Sequence, residues 1–196
     1  MSNWILLETE CGGGIALDYH TDPSKYSGEW GDFRTEVGQL VYDVKYETSI
    51  SENEKRKKAL ILAERAAVLI RKMKIYPYLE AIIPIPSSKI REFQPVDVIA
   101  QAIGNIVGIK VDLDYIKKVK ETTELKSIKN ISERMEILKG AFSCDKRYKN
   151  RKILLFDDLY RSGSTLKEVC NTLYYQGEVQ KKDIFILTLT KTASKR

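Results

Sequence analysis

The chain has 196 residues, with 33 Lys and Arg against 27 Asp and Glu, a formal net charge of +6, and only three cysteines (Cys11, Cys144, Cys170) and one histidine (His20). That length suits one domain, 1–196, with a sizeable core; the few, scattered thiols exclude the paired ligands of a structural zinc site, and no apolar run approaches membrane-spanning length. An odd cysteine count and no signal-like segment lead to the expectation of a reducing, cytoplasmic setting, and the basic excess suits a highly anionic small ligand, nucleic acid, or a plain basic surface.

Residues 1–48 differ from the rest. Residues 4–7 and 14–20 are short strand-like runs punctuated by Gly12, Gly13, Pro23, Gly28 and Gly31, which predicts a small β-rich hood. Leu40, Val41 and Val44 then have helical spacing. The core, 49–196, opens on Ser51-Glu52-Asn53-Glu54, a capping-box pattern. It predicts a long helix whose buried face takes Leu60, Ala63, Ala67, Ile70 and Met73. The basic run 55–58 on its first turns reads as a solvated face, with nucleic acid as the alternative.

Residues 79–86 predict a strand ending in the loop Ser87-Ser88-Lys89-Ile90-Arg91. Pro95 suits the first turn of the next helix, with Val96, Ile99, Ala100, Ile103 and Val107 as its buried stripe and Gly108 as its left-handed cap. Residues 110–116 form a candidate strand. The segment near 117–130, rich in Lys, Glu and Thr, reads as a mobile loop with room for a short hairpin within it. A short helix over 132–138 and a turn at 140–142 into an edge strand follow. A helix from about Thr165 to Gln176 has Thr165 and Glu168 as a second capping box and Gly177 as its cap, and a last strand covers 184–190. This alternation predicts an α/β fold: a mostly parallel sheet with helices on both faces.

The most informative segment is 153–165. It reads as an apolar strand, the acids Asp157 and Asp158, the small-residue loop Ser162-Gly163-Ser164-Thr165, and then a helix. A strand end fixes the carboxylates. Small residues let backbone N–H groups close on an anion, and the helix turns its positive end to the same spot. A sugar phosphate uses both halves, its hydroxyls meeting the acids and its phosphate the loop.

This segment resembles the phosphoribosyl-pyrophosphate (PRPP) motif of type I phosphoribosyltransferases, with Ser162 where Thr is usual. The resemblance implies that fold. It implies that Asp157 and Asp158 are catalytic, holding the ribose hydroxyls and offsetting charge that develops on the ring. Arg161, Ser162, Gly163, Ser164 and Thr165 would take the 5′-phosphate. Mg²⁺ is the implied cofactor, carried by the pyrophosphate rather than by protein ligands. Ser87, Ser88, Lys89 and Arg91, beyond another strand end, and Arg134 would hold the pyrophosphate.

More of the chain is similar to the ComF-like, competence-related branch: residues 34–38 and 40–46, Ile83-Pro84-Ile85-Pro86, Thr122-Thr123 to Lys126, Glu133-Arg134 and Gly140-Ala141-Phe142. With only three, separated cysteines in these 196 residues, the four-cysteine zinc module that often begins such proteins is not expected here, and Arg91-Glu92-Phe93-Gln94-Pro95 departs from the branch's usual sequence. The implied activity is transfer of a phosphoribosyl group from PRPP to a nitrogenous acceptor, with pyrophosphate release. The alternative is a PRPP- or nucleotide-sensing protein, or a DNA-uptake or repair accessory, with little turnover. A homodimer and nucleic acid are candidate partners. His20 and Tyr19 are candidates for choosing the acceptor.

Overall fold

In a computed structural model of the chain, residues 4–25, 33–87, 92–120 and 130–193 are described, without the side chains of residues 131 and 134. Strict alternation of apolar side chains builds the main sheet. In β6 (Lys152–Tyr160), Ile153 and Leu155 enter one core while Leu154 and Phe156 enter the other. In β7 (Ile184–Lys191), Ile184 and Ile186 oppose Leu187 and Leu189 in the same way, and in β3 (Leu79–Pro84) Ala81 and Ile83 oppose Ile82. Strands buried on both faces belong to a parallel sheet covered by helices on either side.

The sheet order is β1-β2-β7-β6-β3, where β1 is Ile5–Leu6 and β2 is Gly13–Tyr19. Only β1 runs antiparallel; β2, β7, β6 and β3 are mutually parallel. Their carboxyl ends therefore share one edge, where open parallel sheets bind ligands. One face carries α1 (Glu36–Tyr46), α2 (Glu52–Lys72) and α3 (Pro95–Val107). The other carries α5 (Ser164–Tyr175) and the small antiparallel pair β4 (Lys117–Lys118) and β5 (Phe142–Ser143), with α4 (Ile131–Leu138) against α5.

Several local signals act as the sequence suggests. Ser51 and Glu54 make the reciprocal capping box, Pro95 opens α3, and Gly108 closes it with φ 74°. Others yield to tertiary partners. The N-terminal residues, expected as a hood, give β2 to the main sheet and α1 to its face. Leu60 is exposed and Met73 only half-buried, because α2 packs on both α1 and α3 and its buried arc runs through Ala59, Leu62, Ala63, Ala66, Leu69 and Ile70. Residues 110–116 make only the bridge Val111 to Ile82 rather than a strand.

No side chain caps α5; its N-cap is Gly163, and Glu168 instead accepts a hydrogen bond from the Gly140 N–H at 2.8 Å. Gly177 keeps ordinary backbone while Glu178 takes the left-handed position at φ 54°. The loop expected near 117–130 falls largely outside the described residues; β4 is its first part.

Candidate functional site

The acid pair does not follow β6 but lies inside it, near its carboxyl end. Consecutive strand residues face opposite sides. Asp158 continues the Leu154–Phe156 series towards α1, where its carboxylate meets the ammonium of Lys45 at 2.5 Å. Asp158 is 4% exposed and the Lys45 side chain 20% exposed, so this is a nearly buried ion pair. Burial alone would lower the Lys45 pKa, but the attraction of Asp158 outweighs it and the net shift is upward. Asp158 is therefore tied into the packing against α1 as well as placed at the sheet edge.

Asp157 belongs to the opposite series, in register with Thr188. Burial, reinforced by the charge of Asp158 and opposed by that of Lys45, pushes its carboxyl up to about 7. Its Oδ1 accepts the backbone N–H of Asp158 at 2.8 Å. The hydroxyl of Thr188, fully buried, has no hydrogen-bond partner among the described residues.

The neighbouring strand ends add polar groups. Thr190, on β7, donates to the Asp158 carbonyl at 3.1 Å, and its hydroxyl lies 3.3 Å from His20 Nδ1. Burial, then the charge of Arg34, holds His20 below its ordinary pKa; Asp158 pulls the other way and Lys45 adds a small lowering push. The Arg34 guanidinium stacks 3.8 Å from the centre of the Tyr42 ring. Helix α1 can reach this edge because of Gly38: a Cβ there would collide with the His20 carbonyl oxygen. Thr35 fixes the helix start by accepting the Gly38 N–H at 3.0 Å while donating to the Tyr19 carbonyl at 2.6 Å.

Beyond β6 the chain turns through Arg161, Ser162 and Gly163 into α5. Gly163 has φ 73°, and a Cβ on it would strike the Tyr160 side chain. That ring lies over the turn with its hydroxyl bonded to the Glu8 carbonyl at 2.8 Å. The Ser162 and Ser164 hydroxyls are 3.0 Å apart. With no side-chain cap, the first-turn N–H groups of α5 are the kind that anions satisfy. Ser164 is buried, Ser162 and Thr165 are half-buried, and Arg161 is exposed.

The structure thus brings Asp157, Asp158 and the 161–165 loop to one sheet edge. Ser87 is exposed just beyond β3 on the same edge. Ser88, Lys89 and Arg91 lie outside the described residues, and so does the side chain of Arg134, whose backbone is within α4. Lys45, Arg34 and Thr190 were not singled out from sequence as site residues. Arg34 and Lys45 fall in segments similar to the ComF-like branch, but nothing local gives them a role in the site, since a lysine in the last turn of a helix also serves the helix dipole.

A cavity of about 450 Å³ lies on the α5 side of the same loop, lined among others by Glu8, Cys11, Met135, Tyr160, Ser162 and Cys170. Two of the cysteines that are remote in sequence meet in its wall: the Cys11 and Cys170 sulfurs are 2.7 Å apart. Among the described residues no group of three or more His, Cys, Asp or Glu could hold a metal ion, and no helix is long and apolar enough to cross a membrane.

No protein-family model matches the chain. It is 30% identical over 121 residues to competence protein F of Haemophilus influenzae, covering 58% of this chain and 51% of that protein, so it spans about half the length of this curated relative. Among solved structures, adenine phosphoribosyltransferase of Leishmania tarentolae aligns with a TM-score of 0.49 at 12% identity, over 95% of this chain and 94% of that one. The Trypanosoma brucei adenine phosphoribosyltransferase complexed with AMP, pyrophosphate and ribose-5-phosphate gives 0.46 at 12% identity, over 96% and 86%. A Staphylococcus aureus hypoxanthine phosphoribosyltransferase gives 0.40 at 13% identity, over 72% and 70%.

Proposed function

We propose that this protein is a type I phosphoribosyltransferase that binds PRPP and transfers its phosphoribosyl group to a nitrogenous acceptor, releasing pyrophosphate. The observation that carries this reading is the acid pair and the uncapped, glycine-led start of α5 on one carboxyl edge of a parallel sheet. The ribose hydroxyls donate to Asp157 and Asp158. The 5′-phosphate accepts from the N–H groups and hydroxyls of 162–165. As the C1–pyrophosphate bond breaks, positive charge grows on the ring, and the two carboxylates stabilise it from fixed positions. Mg²⁺ would arrive on the phosphate oxygens, hard ligands of the kind that suit it. When bound, it neutralises charge on the leaving pyrophosphate.

The test is thermal unfolding with PRPP and Mg²⁺. Binding to the native state alone adds about 2.7 kcal/mol at a hundredfold excess over the dissociation constant. No shift at millimolar PRPP overturns the reading. Pyrophosphate release with a panel of nitrogenous bases then separates an enzyme from a sensor, which would bind without turnover.

A second reading, an accessory protein acting on nucleic acid, draws on the likeness to competence protein F and on the +6 net charge. It requires DNA binding that weakens steeply with salt.

A further inference from the structure

We propose that Lys45 is a positioning residue of this site: its ammonium holds the Asp158 carboxylate in the orientation that receives the ribose hydroxyls. The proposal rests on the phosphoribosyl reading for the identity of the ligand. Its own basis is the ion pair at 2.5 Å and its burial. A carboxylate left at 4% exposure needs a partner, because an ion taken out of water is costly unless paired. Thr190 supports the Asp158 carbonyl from β7, so the backbone there is held separately from the side chain. The carboxylate itself is held from α1, an element of the N-terminal region.

Helix α1 is in turn anchored where Lys45 needs it. Its start is tied to the end of β2 through Thr35 and Gly38. On the outer side Asp43 takes the Lys58 ammonium of α2 at 2.9 Å. Val41 and Val44 fill the core below. An ammonium is a compact point charge that can turn its three donors, so it can orient one carboxylate oxygen while the other stays available to a hydroxyl.

This role differs from direct contact with the leaving group in a measurable way. Ribose-5-phosphate has the ribose hydroxyls and the 5′-phosphate but no pyrophosphate. If Lys45 acts through Asp158, Lys45→Met weakens PRPP and ribose-5-phosphate by the same factor, about tenfold or more, the scale of one charge-assisted contact. Lys45→Arg, which keeps the charge but not the compact geometry, loses less, again equally for both. It also serves if the Met variant fails to fold. Calorimetric titration of wild type and both variants, with Mg²⁺ present, gives the ratios.

Equal losses in both ligands, with partial rescue in the Arg variant, support the proposal. Loss confined to PRPP overturns it, placing the ammonium on pyrophosphate instead. Unchanged affinity in folded Lys45→Met overturns it as well. Wild type that binds neither sugar phosphate removes the phosphoribosyl reading itself and this role with it, an outcome distinct from the other two.

Discussion

Two regions meet at the loop 162–164, and they differ in kind. On one side lies the sheet edge, where Asp157, Asp158, Lys45, His20 and Thr190 converge. On the other lies the cavity of about 450 Å³ walled by Cys11, Cys170, Tyr160 and Met135. The cavity offers open volume. Chemistry favours the edge, because Asp158 is held there by Lys45 of another element and Asp157 is pushed up to about 7, while Glu10, at the cavity rim, is exposed and paired with Lys167 and Lys181. A site that binds a charged sugar phosphate is recognised by where polar groups are kept buried, not by where space is left.

The sharpest way to break this comparison is Asp158→Asn. It should lower PRPP affinity by about 1.5–3 kcal/mol, the scale of a hydrogen bond to a charged group. It should also destabilise the unliganded protein by roughly 2–3 kcal/mol. Removing one partner of a buried pair costs somewhat more, but Lys45 keeps a fifth of its side chain in water. Urea unfolding and PRPP titration of the same variant measure both effects. Parental affinity would place the ligand away from the edge.

Asp157→Asn should cost a similar amount in binding but not in stability, and its signature is in pH. The native carboxyl is raised to about 7 from an ordinary 3.8. Between those values the native state holds a proton that the unfolded chain has released. This group's contribution to stability therefore falls as pH rises through that window and levels off above it. Asn has no proton to lose. The stability of Asp157→Asn relative to wild type should rise from pH 4 to pH 7, as read by urea midpoints across that range. A flat difference would mean that Asp157 is solvated.

Much of the fold was legible because it rests on local rules. Continuous apolar runs marked β3, β6 and β7, and the Ser51 capping box, Pro95 and Gly108 marked helix ends. The acid pair and its loop were legible for the same reason, being one continuous segment. What was not legible depends on contacts between distant elements. Lys45 meets Asp158 from another helix, Cys11 meets Cys170, and Glu168 leaves its local capping pattern for the Gly140 N–H. Residues 1–48 read as a hood because their strands are short and glycine-rich. The pairing of β2 with β7 supplies the order that the local sequence does not.

Ser162→Ala tests the loop that the two regions share. The hydroxyl it removes lies 3.0 Å from that of Ser164, while the first-turn backbone N–H groups of α5, proposed to hold the phosphate, remain. The expected loss in PRPP affinity is about 0.5–1.5 kcal/mol, smaller than for either acid. A loss equal to that of Asp158→Asn would make the side chain, not the backbone, the main phosphate holder.

Alkylation of Cys11 should have the smallest effect on PRPP binding. Contact with the Cys170 sulfur holds the Cys11 thiol below its usual pKa, whereas Cys170 is pushed up by that same contact and by burial, and Cys144 is raised by burial. Reactivity follows thiolate character and access, and Cys11 is also more exposed than Cys170. Iodoacetamide should therefore modify Cys11 first, as peptide mapping would show. The added group enters the cavity wall, on the α5 side of the loop. If the sugar phosphate binds at the sheet edge, singly modified protein keeps its PRPP affinity within about twofold, well inside the effect of one lost hydrogen bond. If modification abolishes binding while the protein stays folded, the ligand occupies the cavity and the assignment of the two regions is reversed.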